Sequence, residues 1–299
     1  MIKIRLKGRL GNQLFIYAIA RSMCKRYNQD VIIYDRKDED DDMWYSHLDD
    51  YKICNRIKFV SNKKEVMKMS IKSKIIFIYD RLAARILDIN EYARFQEKNK
   101  KMYLNNGLFL RMDGYTEVPE KVKDDLFCDG YFQSEKYFSD VRDEILKEIV
   151  PTVEYNEYEQ EICNKINKSN SVCVTIRLGD FVNNPVHQVC TKEYYYKAID
   201  YLKNKLDNPH FFVFSDDMDG VKKMFDFGDN VTYDNGSMRD IISLDIMKQC
   251  KNFIISNSTF SWWAQYLSNY EKKIVVSPQR WYAQEVPCDL MSDEWIKID

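Results

Sequence analysis

Ile2-Lys-Ile-Arg-Leu6 is followed by Gly8-Arg-Leu-Gly11-Asn12, then by Gln13 to Tyr27, then by Val31-Ile-Ile-Tyr34. The first segment is apolar and β-rich, so it reads as a strand. Two glycines then turn the chain. From Gln13 onward Leu14, Tyr17, Ala18 and Cys24 recur at helical spacing. Val31–Tyr34 is again a β-branched run. Strand, tight turn, helix and strand in that order open a parallel α/β sheet. The second half of the chain repeats the rhythm. Its spacing predicts strands over Ser171–Arg177, Phe211–Ser215, Val231–Tyr233, Asn252–Ile255 and Lys273–Ser277. Helices over Tyr194–Lys205, Gly220–Phe225, Ile241–Cys250 and Ser261–Leu267 lie between them. Pro151 and the polar, helix-containing stretch to Ser171 separate the halves. Two α/β domains follow, over 1–150 and 151–299.

Composition narrows the function. The chain has 299 residues, 45% of them hydrophobic and 14% aromatic, enough for a large core. Lys+Arg 45 against Asp+Glu 47 gives a net charge of −2, so nothing in the balance favours nucleic acid as a partner. Eight cysteines form no Cys-x-x-Cys pair and several lie in apolar runs, which predicts reduced, buried thiols. Three histidines are too scattered for a histidine-built metal site. No apolar run approaches the ~20 residues of a membrane span, and no signal-type apolar segment opens the chain. A cytoplasmic protein is the expectation.

Four constellations could carry chemistry. Gly8-x-x-Gly11-Asn12 sits at a strand-to-helix turn, where backbone N–H groups can approach a ligand at the positive helix end; an ordinary tight turn capped by Asn is the plain alternative. It is not Gly-x-Gly-x-x-Gly, and no phosphate-binding Gly-x-x-x-x-Gly-Lys-[Ser/Thr] loop occurs. Val174-Thr-Ile-Arg177-Leu-Gly179-Asp180 ends a buried strand in a guanidinium, suited to a diphosphate through parallel charge-assisted bonds; the alternative is an Arg177–Asp180 pair. Ser256-Asn257-Ser258-Thr259-Phe260-Ser261-Trp262-Trp263 places more hydroxyls at a helix start than capping requires, which favours a phosphate site, with both tryptophans in the core. Phe212-Val-Phe-Ser215-Asp216-Asp217-Met-Asp219 ends a strand in carboxylates. These could clamp a divalent metal. Alternatively, one faces a purine edge and another caps the next helix.

Together these segments resemble glycosyltransferase family 11, the α-1,2-fucosyltransferases, over nearly the whole chain. The likeness is carried by Gly8-Arg-Leu-Gly-Asn-Gln-Leu-Phe, Gly130-Tyr-Phe-Gln, Thr175-Ile-Arg-Leu-Gly-Asp-Phe, Cys190-Thr-Lys-Glu-Tyr-Tyr, Phe212-Val-Phe-Ser-Asp-Asp and Ser256-Asn-Ser-Thr-Phe-Ser-Trp-Trp. The resemblance implies an α/β, GT-B architecture of two facing Rossmann-like domains. It also implies metal-independent, inverting transfer of L-fucose from GDP-β-L-fucose to the 2-hydroxyl of a terminal galactose. The acceptor glycan would be read by domain 1–150 and the donor held by domain 151–299. The family pattern His-x-Arg-Arg-Gly-Asp-Tyr is altered here: Thr175, Leu178 and Phe181 replace the His, the second Arg and the Tyr, and Arg9 replaces a common Gly.

On that reading Arg177 is the catalytic cation, and Asp180 and His187 are alternative bases for the acceptor hydroxyl. Gly11, Asn12, Arg177, Asp216, Asp217, Asn257, Ser258, Thr259 and Phe260 bind the donor, Asp217 being placed at the guanine edge with Asp216 as second choice. No metal or other cofactor is expected. Two rival readings are a metal-dependent sugar transferase using Asp217-x-Asp219 and a non-catalytic GDP-sugar or carbohydrate-binding protein.

One segment stands apart. Residues 52–104 hold fourteen Lys/Arg and five Asp/Glu, a net +9, and Lys63–Arg94 has helical periodicity with Ile75, Ile76, Ile78, Leu82, Ile86 and Leu87. Such a segment could make a peripheral contact with an anionic membrane through residues 63–94, at the inner membrane face. The plain reading is that its apolar face packs onto the first domain and its lysines are solvated.

Overall fold

The computed structural model describes residues 1–35, 46–122, 125–179 and 184–299. The acidic run beyond Asp35 and the Asp180 side chain lie outside the described residues. The chain forms two compact units: residues 1–150 with 285–290, and residues 151–284 with 291–299.

The first unit is built on a parallel sheet of five strands: β1 (Ile2–Arg5), β2 (Val31–Tyr34), β3 (Ile57–Val60), β4 (Leu108–Arg111) and β5 (Leu126–Gly130). Their order is β3-β2-β1-β5-β4. Ile2 and Ile4 of β1 pair with Val31 and Ile33 on one side and with Leu126 and Cys128 on the other. Helix α1 (Leu10–Tyr27) starts three residues earlier than its apolar spacing indicates, and so takes Gly11 into its first turn. It is buried almost all round, from Leu10 to Cys24. Glu148, at the end of α5 (Arg142–Glu148), fixes it by accepting from the Tyr17 hydroxyl at 2.7 Å and Arg21 Nε at 2.9 Å. The stretch 135–150, which reads as one helix in sequence, is two 3₁₀ turns followed by α5.

The basic segment is three helices, not one: α2 (Lys63–Val66), α3 (Ile71–Ile86) and α4 (Ile89–Asn105). Leu87 is extended, and Asp88 opens α4 with a reciprocal capping box to Glu91. The face of α3 that packs inward carries Ser73, Ile76, Phe77 and Asp80. This corrects the expectation that Ile75, Ile78, Leu82 and Ile86 are packed on the domain; all four are exposed. The reason is Asp80. Its carboxylate is fully buried and accepts from the Tyr92 hydroxyl at 2.8 Å, the Tyr103 hydroxyl at 3.1 Å, Gln96 Nε2 at 3.1 Å and Arg81 Nη2 at 2.6 Å. Burial, reinforced by this carboxylate, raises the Tyr92 and Tyr103 hydroxyl pKa values.

The second unit holds β6 (Asn170–Ile176), β7 (Pro209–Ser215), β8 (Val231–Tyr233), β9 (Asn252–Ile254), β10 (Val275–Pro278) and β11 (Ile296–Ile298). All are parallel, in the order β11-β10-β9-β6-β7-β8. From β6 the chain winds outward through α7 (Lys192–Lys205) and α8 (Met218–Met224), then recrosses through α9 (Asp240–Met247) to β9 on the other side. This is the doubly wound Rossmann order, with its reversal between β6 and β9. α10 (Thr259–Tyr266) joins β9 to β10, and Trp262 and Trp263 are buried in the core. Helix α6 (Glu157–Lys168) leads into β6. After β10 the chain passes through Glu285–Leu290, which packs with the first unit: Asp289 accepts from the Tyr115 amide and from Lys136 Nζ, both at 2.6 Å. None of the eight cysteines is paired.

Asp80→Ala is expected to cost about 3 kcal/mol of stability or more, because it strands two phenols, an amide and a guanidinium in the α3–α4 contact. Chemical denaturation checks this; a loss under about 1 kcal/mol would show that the network does not hold the helices.

Candidate functional site at the reversal of strand order

In a doubly wound sheet, the crevice outside the carboxyl ends of the strands lies where the order reverses. In the second unit those ends are Ile176 of β6 and Ile254 of β9. The residues immediately beyond them are Arg177-Leu178-Gly179 and Ile255-Ser256-Asn257-Ser258. Two of the four sequence constellations are therefore brought side by side by the winding.

Arg177 Nη1 lies 3.2 Å from Asp216 Oδ2, and the Leu178 amide donates to Asp216 Oδ1 at 3.0 Å. One carboxylate at the end of β7 thus holds both the guanidinium and the turn behind it. Gly179 permits the approach, since a Cβ there would stand 2.2 Å from Asp216 Oδ2. Asp217 does different work. It is the N-cap of α8 and accepts from the Gly220 amide at 2.9 Å. Asp219 follows in the first turn of that helix. The acidic run therefore supplies a buttress for an arginine and a helix cap.

Beyond β9, Thr175 and Ser256 stitch the crevice floor: the Ser256 amide donates to Thr175 Oγ1 at 3.0 Å, and Ser256 Oγ lies 2.9 Å from Ser261 Oγ. Asn257 is buried and donates from Nδ2 to the His187 carbonyl at 3.0 Å and to the Trp281 carbonyl at 2.9 Å. Cys190 Sγ points to Asn257 Oδ1 at 3.5 Å, and burial pushes that thiol up to about 12. Asn257 is thus an internal strut between three segments, and its side-chain donors do not face a ligand. Through it the His187 backbone is tied beside the start of α10, and the His187 ring packs at 5.5 Å on Tyr282. Ser258 caps α10, accepting from the Phe260 amide at 3.3 Å. Thr259 and Phe260 are partly exposed, and the first turn of α10 carries no acidic residue. Ser258 answers only the Phe260 amide and no acid neutralises the first turn, so this positive helix end beside a fixed guanidinium is suited to a phosphate.

Gly11 and Asn12 lie in the first unit, at the carboxyl end of its own sheet. Gly8 has φ +69°, and a Cβ there would meet Asn12 Nδ2 at 2.3 Å. Gln13 donates to the Gly8 carbonyl at 2.9 Å and locks the turn, while Arg9 rather than Asn12 is the N-cap. Asn12 Oδ1 accepts from Gln133 Nε2 at 2.8 Å. Gln133 is aimed there by Phe132, a buried aromatic held at φ +53° and stacked on Phe109 at 5.6 Å. Left-handed backbone in a bulky residue is strained and persists where surrounding packing demands it.

The same edge holds residues that no motif revealed. Asp129 is fully buried at the end of β5, 2.5 Å from Lys7 Nζ, 3.8 Å from Arg5 Nη1 and 3.7 Å from Arg81 Nη1. Burial lowers the Lys7 ammonium pKa against the opposing pull of Asp129. Asp113, just past β4, has its carboxyl pushed up to about 6 by burial, with Arg111 opposing the shift. The periodicity assigns no strand to residues 108–111, so it could not place Asp113 at a sheet edge. A carboxyl whose folded pKa exceeds its unfolded one favours the protonated form, so stability rises as pH falls from 6 towards 4. Asp113→Asn is therefore expected to stabilise the protein by about 1–3 kcal/mol at pH 7.5 and by almost nothing below about pH 4. Urea melts across that range check it; a pH-independent difference would show a solvated carboxyl.

Comparisons with known sequences agree on one family. The pattern of Glycosyl transferase family 11 matches residues 1–299. An alpha-1,2-colitosyltransferase of Escherichia coli is 30% identical over 313 residues, covering 100% of this chain and 99% of the relative. A galactoside 2-alpha-L-fucosyltransferase of Caenorhabditis elegans is 27% identical over 92% of this chain and 71% of its own length. Among solved structures, the fucosyltransferase NodZ from Bradyrhizobium superposes with a TM-score of 0.50 at 12% identity, over 88% of this chain and 91% of that chain. That likeness concerns the fold, which is of the GT-B class with Rossmann-like α/β units. With its two doubly wound units and its motifs spread from residue 8 to residue 263, the chain belongs to glycosyl transferase family 11.

Proposed function

We propose that this glycosyltransferase moves L-fucose from GDP-β-L-fucose to the 2-hydroxyl of a terminal galactose, with inversion and without a metal. The observation that carries the reading is the pairing of Arg177, fixed on Asp216, with the start of α10 at the carboxyl ends of adjacent strands. As the acceptor oxygen bonds to the anomeric carbon, the bond to the β-phosphate oxygen breaks and negative charge grows on the departing GDP. The acceptor's proton leaves to a base. Arg177 and the amides opening α10 meet the growing charge, so their stabilisation is larger in the transition state than in the bound donor. Asp216 acts through Arg177 as a positioning residue. Asn257 and Thr175 hold the two loops in register. The guanine edge falls to the donor unit, with Asp217 retained there as helix cap. Gln133, oriented by Asn12, offers its amide to acceptor hydroxyls at the edge of the first unit.

A metal clamp at Asp217-x-Asp219 is disfavoured by a specific arrangement: Asp217 Oδ1 is the helix-cap acceptor for the Gly220 amide, which ties that carboxylate to its own helix. Colitose is L-fucose without its 3-hydroxyl, so product analysis with GDP-fucose and GDP-colitose over a panel of galactosides is the direct test of the donor. Transfer of colitose alone, or of neither sugar, would overturn the proposal.

Arg177→Ala is expected to lower kcat by about 100- to 1000-fold, and Arg177→Lys should recover little because a point charge cannot reproduce the fork. Turnover in excess EDTA should be unchanged; loss restored by Mn²⁺, and reproduced by Asp219→Ala, would favour the metal-dependent reading. The base is assigned by the pH profile of kcat/KM. If His187 takes the proton, the acid limb of the profile is lost in His187→Ala. A limb that survives this change but disappears in Asp180→Asn assigns the carboxylate.

A further inference from the structure

We propose that the solvent-facing side of α3 docks on an anionic lipid membrane. Five large aliphatic side chains stand in water on this one helix: Ile71 is 79% exposed, Ile75 62%, Ile78 57%, Leu82 50% and Ile86 79%. At about 100° per residue they fall within an arc of about 80°. Lys74 and Arg85 border the arc on one side and Lys72 on the other, all three exposed. The single acid of the helix, Asp80, is buried on the opposite face and paired with Arg81 at 2.6 Å. Exposed Lys63, Lys64 and Lys68 precede the helix.

The display is locked. Rolling α3 to bury its isoleucines would pull Asp80 away from Tyr92, Tyr103 and Gln96, which hold it inside. A surface stripe of this size marks an interaction site, and its chemistry selects the occupant. Lysine and arginine stems can lie along an apolar surface while their charged heads reach outward to phosphates. An apolar stripe bordered by cations is the pattern of a helix lying in a bilayer interface. A second copy of the chain is disfavoured by charge. An isologous pair through this face would set the same cationic borders against each other with no exposed carboxylate on α3 to answer them. Among the described residues no helix is long and apolar enough to cross a membrane, so the contact is peripheral. The inference holds whichever sugar is transferred.

The test is co-sedimentation of the full chain with phosphatidylglycerol–phosphatidylcholine vesicles and with phosphatidylcholine vesicles. Binding to the anionic vesicles at 50 mM NaCl, lost by about 0.5 M salt where the Debye length has shrunk several-fold, is expected. Lys72→Ala, Lys74→Ala and Arg85→Ala combined should lower the partition coefficient roughly 100-fold. Ile75→Ser with Leu82→Ser should weaken binding at every salt concentration. Circular dichroism confirms that the exposed-site variants fold, and the salt and lipid series on the unaltered chain needs no variant. Absence of binding to anionic vesicles at low salt overturns the proposal. Equal binding to neutral vesicles overturns it too, as does a dimer in sedimentation velocity that Leu82→Ser dissociates while no vesicle is bound.

Discussion

The parallel pairing of every strand in both sheets is the constraint from which the rest follows. Parallel neighbours cannot be joined by hairpins, so each connection is a crossover, usually helical. The crossovers cover both faces and leave one edge where all strands end and all helices begin. Side chains placed just past a strand end collect at that edge even when they are remote in sequence. Arg177 and Asp216 are 39 residues apart in number and share an ion pair for this reason. Asn12 and Gln133 do the same in the first unit, across 121 residues.

At that edge the motif residues divide into those that build the crevice and those left to face a ligand. Thr175 shows the division well. It stands where the family pattern has a histidine, and it is a buried stitch that accepts from the Ser256 amide. The substitution therefore removes an imidazole from the strand end while leaving the β6–β9 junction closed. Asn257 is likewise occupied with carbonyls from the His187 and Trp281 segments. On the proposed reading, the guanidinium of Arg177 and the opening turn of α10 are left for anion binding. The first is held by the Asp216 carboxylate and the second is backbone within a helix, so little reorganisation is needed when charge develops.

Much of this was legible in the sequence. The alternation of strands and helices after Ser171 matches the second unit to within a few residues at each end, because its central strands β6, β7 and β9 are apolar and largely buried. β3, β4 and β11 were not legible: all three are edge strands, and β3 and β11 are only partly buried, with Lys58 and Lys297 breaking their short apolar runs. The roles of Asp216 and Asp217 stayed open because spacing places both at one strand end and cannot say which one turns back to a guanidinium. The buried charges Asp80, Asp129 and Lys7 carried no signal, since a lone charged residue in an apolar run reads as surface until a partner from another element is seen.

The helix α3 marks the limit of periodicity as evidence. Its apolar spacing is real, and the usual inference from it is a helix laid apolar face down. Here the opposite face is down, because a buried carboxylate with four donors around it outweighs the burial of a few aliphatic side chains. Rolling the helix would leave Asp80 and its donors unpaired, at a cost of several kcal/mol, and would also bring the buried Ile76 and Phe77 into water, which offsets much of the burial gained by the outer side chains. Two amphipathic patterns are therefore superimposed on sixteen residues, one polar and specific that docks the helix, the other apolar and cation-bordered that is displayed. Hydropathy alone sees only the second. Distinguishing them requires the partners of Asp80, which come from Tyr92, Gln96 and Tyr103 on the next helix.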